Sequence, residues 1–137
     1  MGMKNVSRIL AFRLDGEASL PARPAATIAA IPEPPPMEAN AAMLAAGKGL
    51  YYDRCVACHG MNVAGGGVLP RLRHATAETH ASWDAIVLGG SRRDKGMPAF
   101  GGIFSKEDSD AVHAFVVEEV AGQTPSVVED LPPLSPR

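Results

Sequence analysis

The stretch Cys55-Val56-Ala57-Cys58-His59 guides the interpretation of the whole sequence. It contains both cysteines of the chain, three positions apart, with a histidine directly after the second. At a helix end, residues three and four positions apart lie on one face. Both thiols and the imidazole are therefore predicted to reach the same side of the backbone.

Several kinds of chemistry use such a cysteine pair. A thioredoxin-like redox site needs a βαβ context, and a zinc site needs further ligands; the sequence offers neither a βαβ pattern nor a second cysteine pair. A structural disulfide across two residues is uncommon. The C-x-x-C-H order is instead typical of a covalently attached c-type haem, held by Cys55 and Cys58 and ligated by His59. We therefore predict one covalent haem c.

Met97 is the predicted second iron ligand. It lies in Gly96-Met97-Pro98, where the proline restricts the preceding residue to extended geometry and lets the loop direct the thioether. A thioether is a soft ligand that raises the reduction potential. The alternative is that Met97 only fills a gap in the core. The other candidate ligands are Met43, Met61, His74, His80 and His113, of which the histidines are predicted to be solvent-exposed.

Pro70 is the candidate partner of the iron-binding histidine. Such a histidine usually donates its second ring N–H to a backbone carbonyl, and Pro70 follows His59 by eleven residues. The alternative is an ordinary loop proline. Nearby basic residues could bind the haem propionates, form a docking patch for an acidic redox partner, or remain solvated. They are Arg71, Arg73, Arg92, Arg93 and Lys95.

Composition and proline placement define the organisation of the chain. Its 137 residues are 46% hydrophobic and 20% charged, with a net charge of −2 and no basic run, which argues against a nucleic-acid binder. No apolar run is long enough to span a membrane. Prolines concentrate in 21–36 and 125–136. We expect a Pro-rich linker over 21–37, one folded domain over 38–124 and a Pro-rich tail over 125–137.

Three helices are predicted in the folded domain, over 40–58, over 81–88 and from Ser105 onward. Ser105 and Asp108 resemble a capping box, and Gly122 is a plausible stop. Long loops separate these helices, and so small a helical core needs a further stabilising group. The predicted fold is therefore all-α, with about three main helices and long loops around one haem.

Residues 9–16 form an apolar run that ends in the turn signal Asp15-Gly16 and predict a single β-strand. A lone strand is unstable in water, so this one is expected to belong to a sheet that the chain lacks. The apolar run is too short for the core of a secretory signal peptide. We expect 1–20 to be a remnant of another domain.

Residues across the domain resemble a class I cytochrome c. Gly47 and Tyr51 precede the C-x-x-C-H motif, Pro70 and the Met97 loop follow it, and Phe115 lies on the last helix. In that family the first and last helices cross closely through a small residue and aromatic residues. The resemblance implies that Gly47, Tyr51 and Phe115 form this crossing.

A closer resemblance is to the C-terminal cytochrome domain of quinohaemoprotein alcohol dehydrogenases. It is carried by Gly49-Leu50-Tyr51, residues 55–60, Pro70-Arg71-Leu72-Arg73, Gly89-Gly90 with Arg92, and Gly96-Met97. There a pyrroloquinoline-quinone (PQQ) β-propeller precedes the cytochrome, and residues 9–16 with Leu20-Pro21 are similar to its end. Nearly the whole propeller is absent, so only electron transfer carries over. Arg92 is the favoured propionate partner by this resemblance.

The resemblance implies a periplasmic cytochrome that passes single electrons from a PQQ dehydrogenase domain to an external acceptor, without activity of its own. With both His59 and Met97 bound, iron has no open position. The alternatives are a stand-alone soluble cytochrome c, or a haem sensor or peroxidase with an open site. The predicted haem-facing wall comprises Leu69, Leu72, Trp83, Ile86, Val87, Phe100 and Phe104.

Overall fold

The computed structural model of the protein describes residues 13–17, 30–65 and 69–122. The chain divides into two compact units, Met1–Ala30 and Ile31–Arg137. In the first unit, the Gly16 N–H donates to the Arg13 carbonyl at 3.2 Å, which closes the turn predicted at Asp15-Gly16. The rest of the predicted strand lies outside the described residues, as do most of the predicted linker and the tail.

Within the described residues of the second unit the regular structure is entirely helical. Five α-helices are joined by loops that contain three short 3₁₀ turns, and no strand occurs in this part of the chain. The helices are α1 (Ala41–Arg54), α2 (Val56–His59), α3 (Ala77–Ala81), α4 (Trp83–Val87) and α5 (Lys106–Ala121). The 3₁₀ turns are Met61–Val63, Leu72–His74 and Arg93–Lys95. None of these helices is long and apolar enough to cross a membrane.

The predicted first helix is interrupted at Cys55. Asn40 caps α1, its side chain accepting a hydrogen bond from the Met43 N–H at 2.9 Å. At Cys55 φ widens to −112°, away from the helical value, and α2 begins at the next residue. Because the Cys55 and His59 amides still bond to carbonyls four residues earlier, the interruption bends the helix without unwinding it.

The predicted helix over 81–88 is also wrong in detail. It is two short helices, α3 and α4, which meet at Ser82, where φ is −96° and ψ is 12°. Thr76 caps α3 through the Thr79 N–H at 3.2 Å, so helical structure begins earlier than the apolar pattern indicates. Trp83, Ile86 and Val87 are buried, in agreement with their predicted common face.

Helix α5 confirms its predicted start. The Ser105 side chain accepts from the Asp108 N–H at 3.1 Å, and the Asp108 carboxylate accepts from the Ser105 N–H at 2.9 Å. This reciprocal pair is a capping box with aspartate in the position usually taken by glutamate. Gly122 ends the helix as predicted.

The core lies where α1 and α5 cross. A Cβ atom on Gly47 would fall 1.9 Å from the Ala111 carbonyl oxygen, so the two backbones touch where only glycine fits. Tyr51 is completely buried, and its ring centroid lies 5.3 Å from that of Phe115. This close contact is the crossing that the family resemblance implies, and it holds the C-terminal end of α1 in place.

Candidate haem site

The C-x-x-C-H motif lies at the end of the helix that the crossing fixes. Cys55 is the bend between α1 and α2, and His59 is the last residue of α2. Gly60 then turns the chain sharply, with φ of +74°, a conformation that glycine adopts without strain. The motif therefore occupies a helix terminus at the boundary between the helical core and the loops.

His59 is oriented by a backbone carbonyl. Its Nδ1 lies 3.0 Å from the Pro70 oxygen, and because a carbonyl only accepts, Nδ1 carries the proton. The lone pair of Nε2 is then free to bind a metal ion. The contact predicted from the proline's position in the sequence is thus present.

A second set of hydrogen bonds closes the loop after the motif. The Gly65 N–H donates to the His59 carbonyl at 2.7 Å, and the Tyr51 hydroxyl donates to the Gly60 carbonyl at 2.7 Å. A Cβ on Gly60 would approach the Gly65 backbone to 3.1 Å, so the two glycines pack directly on each other. The sequence pattern identified Tyr51 only as a packing residue, and its polar role was missed.

The two cysteines are free thiols in different environments. Cys55 is half-buried against the core, whereas Cys58 is exposed. Burial, with a smaller contribution from Cys58, raises the pKa of the Cys55 thiol to about 11. A protonated thiol is a poor nucleophile for disulfide exchange, which argues against the thioredoxin-like alternative.

The Met97 loop is attached to the helices at several points. Gly96 adopts the left-handed conformation with φ of +87°, and the Met97 N–H donates to the Arg92 carbonyl at 3.2 Å. Farther along, the Phe100 N–H donates to the Val87 carbonyl at 2.7 Å. Met97 itself is half-buried and packs against the hydrophobic core.

The predicted wall residues differ in their surroundings. Leu72 and Phe100 are half-buried against the core, whereas Leu69 is 43% exposed. Trp83 is buried, and its indole N–H donates to the Ser109 carbonyl at 3.2 Å. The remaining three, Ile86, Val87 and Phe104, are buried.

His80 and His113 are not the solvated residues that the sequence pattern predicts. His80 is only 7% exposed, and its Nδ1 lies 2.9 Å from Nε2 of His113. The His113 ring stacks on Trp83 with centroids 4.2 Å apart. Burial, together with the neighbouring His80, lowers the pKa of His113 to about 4, and burial also lowers that of His80.

One sequence signal for this histidine pair exists. His113 lies four residues after Ser109 and four before Val117, and both of these are buried. Three residues at this spacing share a helix face. The narrower stripe through Val112 and Phe115 left that face out, so His113 was assigned to the solvent side.

The five candidate basic residues differ in burial and in hydrogen bonding. Nε of Arg71 and Nε of Arg73 are buried without a hydrogen-bond partner. Arg92 is half-buried and donates from Nη2 to the Thr79 hydroxyl at 3.3 Å. Arg93 and Lys95 are exposed.

These donors fit a c-type haem. The motif supplies two thiols and one imidazole with a free nitrogen lone pair, and the Met97 loop supplies a half-buried thioether. Two orphaned guanidinium nitrogens match the carboxylates that such a haem carries. The donor set contains the sulfur and nitrogen ligands that c-type haem iron uses.

Comparison with known proteins identifies the class. Residues 42–116 match the family described as "Cytochrome C oxidase, cbb3-type, subunit III". The chain therefore belongs to the cytochrome c proteins of that family, and its helical structure agrees with a cytochrome c fold.

The particular relatives are quinohaemoprotein alcohol dehydrogenases, and the match is to their C-terminal cytochrome c domain. The chain is 38% identical over 116 residues to quinohemoprotein alcohol dehydrogenase ADH IIB of Pseudomonas putida, and 35% identical over 117 residues to ADH-IIG of the same species. Each match covers 85% of this chain but only 17% and 16% of the relative. The solved structure of ADHIIG from P. putida HK5 superposes with a TM-score of 0.64 at 34% identity, over 75% of this chain and 15% of that one.

Proposed function

We propose that the protein is a monohaem c-type cytochrome that receives single electrons from a PQQ-dependent alcohol dehydrogenase domain and passes them to an external acceptor. The observation that carries the proposal is the His59–Pro70 hydrogen bond, because it leaves Nε2 of the C-x-x-C-H histidine free for iron. The similarity to the cytochrome domain of quinohaemoprotein dehydrogenases supports the choice of donor.

Each residue of the site has a defined part in this function. Cys55 and Cys58 bind the haem covalently, and His59 and Met97 ligate its iron. Pro70 keeps the imidazole in one orientation and one tautomer. Leu72, Phe100 and the buried Trp83 supply apolar surface around the group, and the basic residues of the loops are the candidate partners of its carboxylates.

The electron-transfer role follows from the ligand set. A haem iron held by an imidazole and a thioether would supply one-electron transfer without a change of ligands. Hydrogen bonds to the Val87 and Arg92 carbonyls hold the loop that carries Met97, and they would keep its thioether in position for the iron. No position then remains for substrate, which makes the sensor or peroxidase alternative the weaker one.

An absorption spectrum of the protein produced with haem-maturation machinery tests the proposal. We expect sharp low-spin bands on reduction, haem that resists acid-acetone extraction, and a weak far-red band in the ferric form. Met97→Ala should lose the far-red band. Met61→Ala, which removes a methionine that is 67% exposed, should keep it.

Other spectra would overturn the proposal in distinguishable ways. A high-spin spectrum of the unaltered protein would show an open site and favour the sensor or peroxidase alternative. Absence of covalent haem would refute the cytochrome function altogether. An unchanged spectrum in Met97→Ala would refute the ligand assignment alone.

The donor is tested separately. With a PQQ-dependent dehydrogenase and its alcohol, we expect the ferric protein to be reduced faster than by the alcohol alone. Reduction by chemical reductants only would favour a stand-alone cytochrome c. We place this exchange in the periplasm, because the proposed donor belongs to the quinohaemoprotein class and c-type haem is attached outside the cytoplasm. Export of the full-length product, followed by cell fractionation, tests that location.

A further inference from the structure

We propose that Arg71 and Arg73, rather than Arg92, bind the two carboxylate groups that a c-type haem carries. This inference rests on the proposed function, since it assigns residues to the same cofactor. It makes the loop after His59 a single unit that both orients the iron ligand and neutralises the negative charge of the haem.

The first observation is the orphaned nitrogens. Nε of Arg71 and Nε of Arg73 are each buried and lack a hydrogen-bond partner. A buried donor of a charged group is costly to leave unpaired, and native structures rarely do so. Two such atoms, on residues two positions apart, therefore indicate that an acceptor binds here. Both atoms belong to permanently charged guanidinium groups, so the fitting acceptor is an anion.

The second observation is how the loop holds the two side chains. Gly65 has φ of +70°, and a Cβ there would come within 2.7 Å of Arg71 Cγ, so the arginine stem lies directly on this glycine. Arg73 donates from Nη2 to the Asn62 carbonyl at 3.2 Å, which fixes one end of its guanidinium. Contacts within the loop thus restrict the Arg71 stem and one end of the Arg73 guanidinium, which lowers the conformational entropy lost when they bind an anion.

The third observation is the direct connection to the iron ligand. Pro70, which accepts the His59 hydrogen bond, is the residue before Arg71, and Gly65 donates to the His59 carbonyl. The two cations are therefore part of the segment that holds the imidazole. Positive charge near the iron disfavours its more positive ferric state, so the pair should raise the reduction potential.

The side chain of Arg92 fits this role less well than those of Arg71 and Arg73. Its Nη2 already donates to the Thr79 hydroxyl, and the structure leaves no orphaned buried nitrogen on it. The family resemblance favoured Arg92, whereas the surroundings of the side chains favour Arg71 and Arg73. Assignment to Arg71 and Arg73 and assignment to Arg92 therefore predict different effects when each arginine is replaced by glutamine.

Arginine-to-glutamine variants of the haem-loaded protein test the assignment. R71Q and R73Q should lower the midpoint potential, and the propionate bending mode in the resonance Raman spectrum should shift in each. R93Q removes the same charge from an exposed arginine and serves as the control. We expect it to leave the Raman mode unchanged and to lower the potential less, with an effect that high salt removes.

The outcomes separate this inference from the proposed function. If R92Q shifts the Raman mode and R71Q and R73Q behave like R93Q, the inference is wrong while the cytochrome function stands. If the unaltered protein carries no covalent haem, the proposed function itself fails. Should R71Q or R73Q not accumulate as holoprotein, R71K and R73K keep the charge but not the Nε donor, and the same Raman shift is expected from them.

Discussion

The α1–α5 crossing and the loops of segment 59–104 are stabilised by different kinds of contact. At the crossing, backbone meets backbone at Gly47, and the side chains of Tyr51 and Val116 are completely buried. In the loops, single hydrogen bonds hold short segments, as between His59 and Pro70 or Phe100 and Val87, and many side chains stay half-exposed. The crossing is filled by its own packing, whereas the loops contain two buried guanidinium nitrogens without a hydrogen-bond partner.

The largest effect is expected from filling the crossing. Gly47→Ala places a Cβ 1.9 Å from the Ala111 carbonyl oxygen, and the helices must move apart. Overpacking of this kind costs typically about 1–3 kcal/mol and occasionally more, and we expect about 3 kcal/mol because backbone atoms cannot rotate away. Chemical denaturation of the holoprotein measures the loss.

Gly49→Ala is the matched control for the crossing. Gly49 lies on the same helix, and a Cβ there meets nothing within 4 Å. Alanine in place of glycine within a helix should stabilise it by about 0.5–1 kcal/mol. Equal effects at Gly47 and Gly49 would show that the close contact does not determine the stability of the crossing.

The same comparison explains what could be predicted from the sequence. The capping box of Ser105 and the buried face of Trp83, Ile86 and Val87 follow from local patterns, and both were predicted correctly. The His59–Pro70 contact was also anticipated, because the chemistry of an iron-binding histidine requires an acceptor.

Features that depend on tertiary contacts were not predictable in this way. The helix interruptions at Cys55 and Ser82 are small backbone rotations that no residue type marks. The His80–His113 pair joins residues 33 positions apart, and a solvent-facing assignment of either histidine alone is reasonable until α3 packs on α5. The orphaned Nε atoms of Arg71 and Arg73 likewise depend on the burial that the folded loop creates.

The His80–His113 pair should make the stability of the protein fall at acid pH. Folding lowers the pKa of His113 from 6.5 to about 4, chiefly by burial and then by the adjacent His80, with Asp110, Asp84 and Lys106 also nearby. Between these values the unfolded chain binds more protons than the folded one, so stability falls as the pH drops from 6.5 towards 4. We expect a loss of about 1–2 kcal/mol, since the side chain is only partly buried.

Denaturation midpoints across this pH range, compared between variants, check that prediction. His113→Gln keeps a polar partner for His80 but cannot titrate, so its stability should depend less steeply on pH than that of the unaltered protein. His74→Gln is the control for loss of one histidine. Parallel pH curves for the unaltered protein and His113→Gln would exclude the pair as the acid-sensitive element.

The smallest effect concerns one of the hydrogen bonds between the two regions. The Tyr51 hydroxyl, within the crossing, donates to the Gly60 carbonyl at the end of the motif at 2.7 Å, and burial is the main cause that raises its pKa. Tyr51→Phe keeps the ring contact with Phe115 and leaves that carbonyl unpaired, which should cost about 1 kcal/mol. Tyr52→Phe removes an exposed hydroxyl whose contact with Asn62 is 3.5 Å long, and should cost much less.

If the Tyr51 hydrogen bond stabilises the loop after His59, amide hydrogen exchange at Gly60 and Gly65 should also accelerate in Tyr51→Phe and not in Tyr52→Phe. Equal exchange in both variants would mean that the loop keeps its order through the His59 contacts alone.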